Sequence, residues 1–236
     1  MGVPKTSLIP WDPLNADHFQ RMVACGSRCE EIPEWRSKTI MNQKINSGPD
    51  ADVWKTLADD IPQRDDLLAE HTSQYPNESV ELTDTASAVL QTSRKPTHRP
   101  FIPVGHIALE LLPEQNKRSS LSSPTIWVMS LYVSWALQSA GLGRSAMAQI
   151  EDLAKFPPFN HDTIALDTVQ KDFQLSQNKF GKTPHTPSKG IRTSEEWYTR
   201  QGYQAIARVD RGYIWMDPET QGHVPVPLVY MIKKLV

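Results

Sequence analysis

The stretch from residue 125 to 156 constrains this chain most. TIWVMSLYVS (125–134) is apolar at nearly every position, as a strand covered on both faces would be. RSAMAQIEDLAKF (144–156) carries Ala146, Ile150 and Leu153 at helical spacing and is ended by PPF. Between them, LQSAGLGRSA (137–146) places two glycines one residue apart. A strand–glycine loop–helix unit sends the chain up through a sheet and back along its face. The glycine-opened amides and the helix N-terminus then form a ready cradle for an anion, above all a phosphate.

The remaining pattern fills out an α/β fold. SLIPW (7–11) reads as a short strand, and Asn15 to about Asn46 reads as helix divided by Pro33. The helical pattern restarts after a turn in SGPDADVWKTLADD (47–60), whereas residues 64–100 are polar, aperiodic and loop-like. IPVGHIALELL (102–112) predicts a strand with Gly105, Ile107, Leu109 and Leu111 on one face and His106, Ala108 and Glu110 on the other. EQNKRSSLSSP follows as a hairpin loop, and TIALDTV (163–169) is a further strand. After a polar passage over 170–193, SEEWYTRQGY predicts a helix with a serine N-cap and a stop at Gly202. QAIARV, GYIWM and LVYMIKKLV close the chain as strands. No repeat or boundary divides the 236 residues, so one domain with a mixed sheet is expected.

Charge and cysteine usage exclude several function classes. The net charge is −2, and Arg192, Arg200, Arg208 and Arg211 are interleaved with Glu195, Glu196 and Asp210. That is a solvated face, which argues against a nucleic-acid partner. Cys25 and Cys29 could form half a metal site, but no second ligand pair accompanies them, so free thiols and no metal are expected. The N-terminus lacks an apolar signal core and no apolar run reaches spanning length, which predicts a cytoplasmic protein without membrane contact.

Three phosphate loops compete for residues 138–146. A Walker-type loop needs glycine at Gln138 and lysine at Arg144, and both are missing. The dinucleotide fingerprint is present as Gly141, Gly143 and Ala146, but Trp135 to Ala140 separate it from the strand end and no βαβαβ repeat surrounds it. The third reading accounts for more residues. Val133, Gln138, Gly141 and Gly143 spell V-x4-Q-x2-G-x-G, which resembles motif A of the GNAT superfamily of N-acetyltransferases, here around 125–156. Trp197, Tyr198, Gly202 and Tyr203 resemble that family's motif B, around 194–209, and VGHIAL resembles the strand before the central one. The likeness spans about residues 102–215. It implies a GNAT-type α/β fold: a mixed, largely antiparallel sheet with a splayed central strand, flanked by helices, plus long inserted loops.

The resemblance also implies a chemistry. Acetyl-CoA would be the co-substrate, its pantetheine arm paired with main-chain groups of Leu131 and Val133. Its pyrophosphate would rest on Gln138, Ser139, Ala140, Gly141, Leu142, Gly143 and Arg144, with a hydroxyl added by Ser145. Tyr198 aligns with the tyrosine that often protonates the CoA thiolate. Where some members carry a basic glutamate this chain has Trp127, leaving His106 and Glu110, then Ser130 or an ordered water, as candidate bases. The long 170–193 passage, with Phe173, Phe180, His185 and Arg192, would lie beside the acceptor. The expected reaction is transfer of acetyl to a primary amine on a small molecule by a monomer or homodimer. A protein Nα- or lysine acetyltransferase is the alternative. A non-catalytic acyl-CoA-binding protein and a Rossmann-type oxidoreductase stand further out.

Overall fold

The computed structural model describes residues 4–26, 51–89, 92–121, 125–176, 192–216, 220 and 222–235. Seven strands form one sheet: β1 (Thr6–Pro10), β2 (Ala51–Leu57), β3 (Gly105–Leu111), β4 (Ile126–Val133), β5 (Thr163–Val169), β6 (Gln204–Met216) and β7 (His223–Lys234). Their order is β1-β2-β3-β4-β5-β7-β6. Only β4 and β5 run parallel; every other neighbouring pair is antiparallel. A dinucleotide-binding fold needs a mainly parallel, doubly wound sheet, so the Rossmann alternative fails on topology.

The helices are α1 (Ala16–Gly26), α2 (Arg64–Gln74), α3 (Pro113–Arg118), α4 (Leu142–Lys155), α5 (Lys171–Ser176) and α6 (Ser194–Thr199). One sheet face, bearing Ile107, Leu109, Ile126, Val128, Ile164 and Leu166, is covered by Met147, Ile150 and Ala154 of α4. The opposite face bears Trp54 and Tyr132 and packs against Met22 and Cys25 of α1, with Leu82 and Phe101 beside them. Cys25 is buried, and Cys29 lies outside the described residues. At Gly105 the β3–β4 approach is so close that a Cβ would lie 2.2 Å from the Tyr132 carbonyl oxygen, which restricts the position to glycine.

Several local expectations are corrected. The helical pattern expected over 47–60 gives way to strand β2 at Ala51–Leu57. Val53, Trp54, Lys55, Thr56 and Leu57 are all buried, and Val53 and Trp54 enter different core clusters. A segment covered on both sides between β1 and β3 favours β-branched and aromatic residues in a strand. Residues 64–100 are not simply loop: α2 and two short ladders lie within them. They are held by buried polar groups to which apolar periodicity is blind. His71 Nδ1 lies 2.9 Å from Ser134 Oγ, and its Nε2 lies 3.4 Å from Glu78. The predicted hairpin loop after β3 begins with α3, whose Asn116 accepts a 2.6 Å bond from Trp127 Nε1.

The closing segment holds two strands rather than three, because β6 runs through QAIARV and GYIWM with a bulge between Val209 and Tyr213. The cap of α6 is Thr193 rather than a serine, in a reciprocal capping box with Glu196. The second part of the expected 15–46 helix lies outside the described residues, as do Phe180 and His185 of the 170–193 passage. Among the described residues, no helix is long and apolar enough to cross a membrane.

Asp84 organises the 64–100 segment. Its carboxylate receives both Arg94 guanidinium nitrogens at 2.6 and 2.8 Å, and the Thr97 amide and hydroxyl at 3.0 and 2.6 Å. The Arg94 hydrogen bonds hold its pKa well below the usual carboxylate range. Asp84→Ala leaves the part-exposed guanidinium without its carboxylate and is expected to cost about 2 kcal/mol in urea unfolding at pH 7. A depressed folded pKa contributes stability above the unfolded value and loses it as acid titrates the folded group. The gap between wild type and variant therefore narrows steadily below about pH 4.

Candidate active site

The sheet opens in its middle. Strands β4 and β5 pair only at Ile126–Ile164, Trp127–Ala165 and Val128–Leu166. Beyond that point β4 stays with β3 as far as Val133, and β5 stays with β7 as far as Val169. The cause sits on β4. Ser130 takes a left-handed backbone (φ +53), and Ser130 with Leu131 opposes the single residue Ile107. A bulge of this kind bends its strand away from a neighbour. Leu131 and Val133 lie on the edge thus exposed. Main-chain groups inside a sheet need partners, and here β5 supplies none.

The same strand leads into the glycine loop. Ser134 is fixed by its amide on the Val104 carbonyl (2.8 Å) and by its hydroxyl against His71. A 3-10 turn at Trp135–Leu137 follows, and then Gln138 is extended, Ser139 is left-handed (φ +71) and Gly141 is left-handed (φ +84). Gly141 caps α4 without a side-chain hydrogen bond. The amides of Leu142, Gly143 and Arg144 find no acceptor among the described residues. Three open N–H groups at the head of a fourteen-residue helix suit an anion. Leu142 can offer only its backbone, because its side chain is buried with Leu57, Val104 and Leu137. Gln138, Ser139 and Arg144 are exposed, and Ala140 is half-buried.

Ser145 is placed otherwise than expected. Its hydroxyl accepts bonds from the amides of Lys5 (2.9 Å) and Thr6 (3.2 Å) and pairs with Thr6 Oγ1 (2.9 Å). It fastens β1 to the first turn of α4 and is not turned to the cradle. This contact also brings in a residue the motif could not reveal: Lys5 Nζ donates to the Ala140 carbonyl at 2.9 Å.

Tyr198 is 9% exposed and belongs to the core cluster containing Ile126, Val128 and Leu166. Its ring meets Trp197 and Tyr203 edge-on at 4.8 and 5.8 Å. Its hydroxyl makes no hydrogen bond among the described residues. Burial, and then the charge of Asp167, push the phenol pKa up, so it holds its proton throughout the neutral range. Trp197 packs on the glycine loop, with its ring 3.3 Å from where a Cβ on Gly143 would sit.

The two candidate bases on β3 separate. His106 pairs with Tyr132 at the open end and lies in an aromatic slab, 5.5 Å from the Tyr132 ring and 6.5 Å from Trp54. Glu110 pairs with Trp127 below the opening. Four strand residues put them about 13 Å apart, so they cannot serve one reacting atom. Asp167 is the residue that sequence reasoning missed. It is the first on β5 beyond the last β4–β5 pair, on the face that bears Trp127 and Glu110. Burial, and then the Glu110 charge, push its carboxyl pKa up to about 6. A lone acid in the otherwise apolar TIALDTV was the available signal. Ser130 is exposed at the bulge, Phe173 packs beside Trp215 and Leu228, and Arg192 is exposed.

Asp167 thus lies one residue beyond the last β4–β5 pair on one face of the sheet, and Tyr198 packs in the core cluster on the other. The raised Asp167 pKa has a thermodynamic consequence. Between the unfolded and folded values the native state binds more protons, so this group lowers stability as pH rises through that window. Asp167→Asn is expected to raise Tm by a few degrees at pH 8 and to leave it unchanged at pH 4, as read by calorimetry.

No family model and no curated protein matches the sequence. Solved structures do resemble the fold. Arabidopsis thaliana NAA60 in complex with acetyl-CoA superposes with a TM-score of 0.56 at 8% identity, covering 98% of each chain. A dodecameric spermidine N-acetyltransferase from Vibrio cholerae gives 0.53 at 8% identity, covering 98% of this chain and 94% of that one. A protein described as a GNAT-family acetyltransferase from Desulfovibrio desulfuricans gives 0.51 at 13% identity, over 98% and 99%. The chain has the GNAT acetyltransferase fold.

Proposed function

We propose that this protein is an acetyl-CoA-dependent N-acetyltransferase acting on a primary amine of a small molecule. The observation that carries the reading is the opening between β4 and β5, with Asp167 one residue past its last pair and the open amides of Leu142, Gly143 and Arg144 on the loop that follows β4. Acetyl-CoA supplies the acetyl group as a thioester. The exposed edge of β4 at Leu131 and Val133 holds the pantetheine arm as a missing strand would. Gln138 to Arg144 hold the pyrophosphate through backbone amides, with Arg144 adding charge.

The acceptor amine attacks the thioester carbonyl directly, in a ternary complex. Asp167 takes the proton the amine must lose; its pKa near 6 leaves it largely ionised at neutral pH yet basic enough to accept. Burial, and then the Glu110 charge, keep that pKa high. As the carbon–sulfur bond breaks, the Tyr198 hydroxyl gives its proton to the leaving thiolate and is replenished from solvent. Main-chain N–H groups on the open β4 edge polarise the carbonyl. A small acceptor is favoured because α1, Leu82 and Phe101 cover the Trp54 and Tyr132 face of the sheet, leaving less open surface for a peptide.

Two experiments test this. Acetyl-CoA at a hundred times its Kd should stabilise the native state by about 2.7 kcal/mol, raising Tm by several degrees, whereas NADH should not. Gly141→Asp should abolish that shift by placing a negative charge where the pyrophosphate approaches. Tyr198→Phe should lower kcat by roughly ten- to a thousandfold with little change in CoA affinity, on the scale of a lost general acid. An unchanged kcat would reduce Tyr198 to a packing residue, and absence of turnover in wild type with intact CoA binding would favour a non-catalytic acyl-CoA-binding protein.

A further inference from the structure

Lys5 lies outside every motif, yet its main chain is fixed against the glycine loop. Its amide donates to Ser145 Oγ at 2.9 Å, and its carbonyl accepts from the Ala58 amide at 3.1 Å. The side chain then crosses to the loop, with Nζ on the Ala140 carbonyl at 2.9 Å. The three atoms nearest to where a Cβ on Gly141 would sit all belong to Lys5: Nζ at 3.6 Å, Cδ at 3.8 Å and Cε at 3.9 Å. An exposed ammonium is therefore held beside the three amides that find no acceptor.

We infer that Lys5 is a pyrophosphate ligand, a cation brought from β1 to complete the cradle formed by Gly141 to Arg144. The inference rests on the reading of that loop as the site for the CoA pyrophosphate. Three features of the ammonium suit it. It has three donors, so it can keep the Ala140 carbonyl and still take a phosphate oxygen. A carbonyl is a neutral acceptor, and an N⁺–H bond to a phosphate oxygen is shorter and about twice as strong. The site is exposed, so no buried charge has to be stripped of water to make the exchange. A lysine that served only as a structural clamp on Ala140 would be indifferent to the ligand's charge.

The test is isothermal titration of coenzyme A, 3′-dephospho-CoA and pantetheine into wild type, Lys5→Gln, Lys5→Arg and Gly141→Asp. Ligand-free Tm values check that each variant folds. Lys5→Gln is expected to weaken CoA and dephospho-CoA alike by roughly tenfold, a loss that shrinks in 0.5 M salt because the contact is exposed. Pantetheine, which lacks the pyrophosphate, should bind Lys5→Gln as it binds wild type, and Lys5→Arg should keep most of the CoA affinity. Equal CoA affinity in wild type and Lys5→Gln overturns the inference. So does a loss seen with CoA but not dephospho-CoA, which would assign Lys5 to the 3′-phosphate. An equal loss for pantetheine overturns it too, by making Lys5 a clamp. Should wild type fail to bind CoA, or Gly141→Asp bind it undiminished, the reading of the loop itself falls, and the Lys5 arm is told apart by that control.

Discussion

The termination of parallel pairing after Val128 and Leu166 is the constraint on which the rest of the site depends. An interior sheet normally satisfies every backbone donor and acceptor across each neighbour. Here the bulge at Ser130 turns β4 away while β3 still holds its other edge. The chain keeps a rigid strand yet leaves one side of it open. Everything chemically notable then falls on that divergence: the loop after Val133, Asp167 one step past the last pair, and Tyr198 under the core face.

Electrostatics at the apex follow from the same geometry. Were the strands paired to their ends, position 167 would sit beside a neighbour able to cover it. The carboxyl is nonetheless buried, and that burial, followed by the Glu110 charge, raises its pKa. Burial of Tyr198, and then the Asp167 charge, disfavour its phenolate. Both groups are thus shifted toward their protonated forms, chiefly by burial. On the proposed mechanism, the stability given up at Asp167 lies where a proton is to move.

What the sequence revealed, and what it hid, divides along a physical line. Strands β3, β4 and β5 and helix α4 were legible because each is a contiguous apolar or amphipathic pattern, and the glycine loop because Gly141 needs a left-handed backbone. Strand β2 was misread since a segment buried on both sides has no alternation to report. The order within residues 64–100 rests on Asp84, Arg94, His71 and Glu78, and such polar contacts leave no period in a sequence. The place of Tyr198 near the end of α6 was legible from its spacing to Gly202. Asp167 became meaningful only once pairing register was known, and Ser145 and Lys5 only once β1 was seen lying along α4.

The contact between His71 and Ser134 has a further consequence. Ser134 is the joint between β4 and the turn that leads to Gly141, and its hydroxyl is held from α2, more than sixty residues earlier in the chain. The loop's shape thus depends on a distant segment as well as on its own glycines. In exchange experiments on native protein, amides of the 134–140 turn should then open together with those of α2 as one cooperative unit, so the loop can be no longer-lived than that helix.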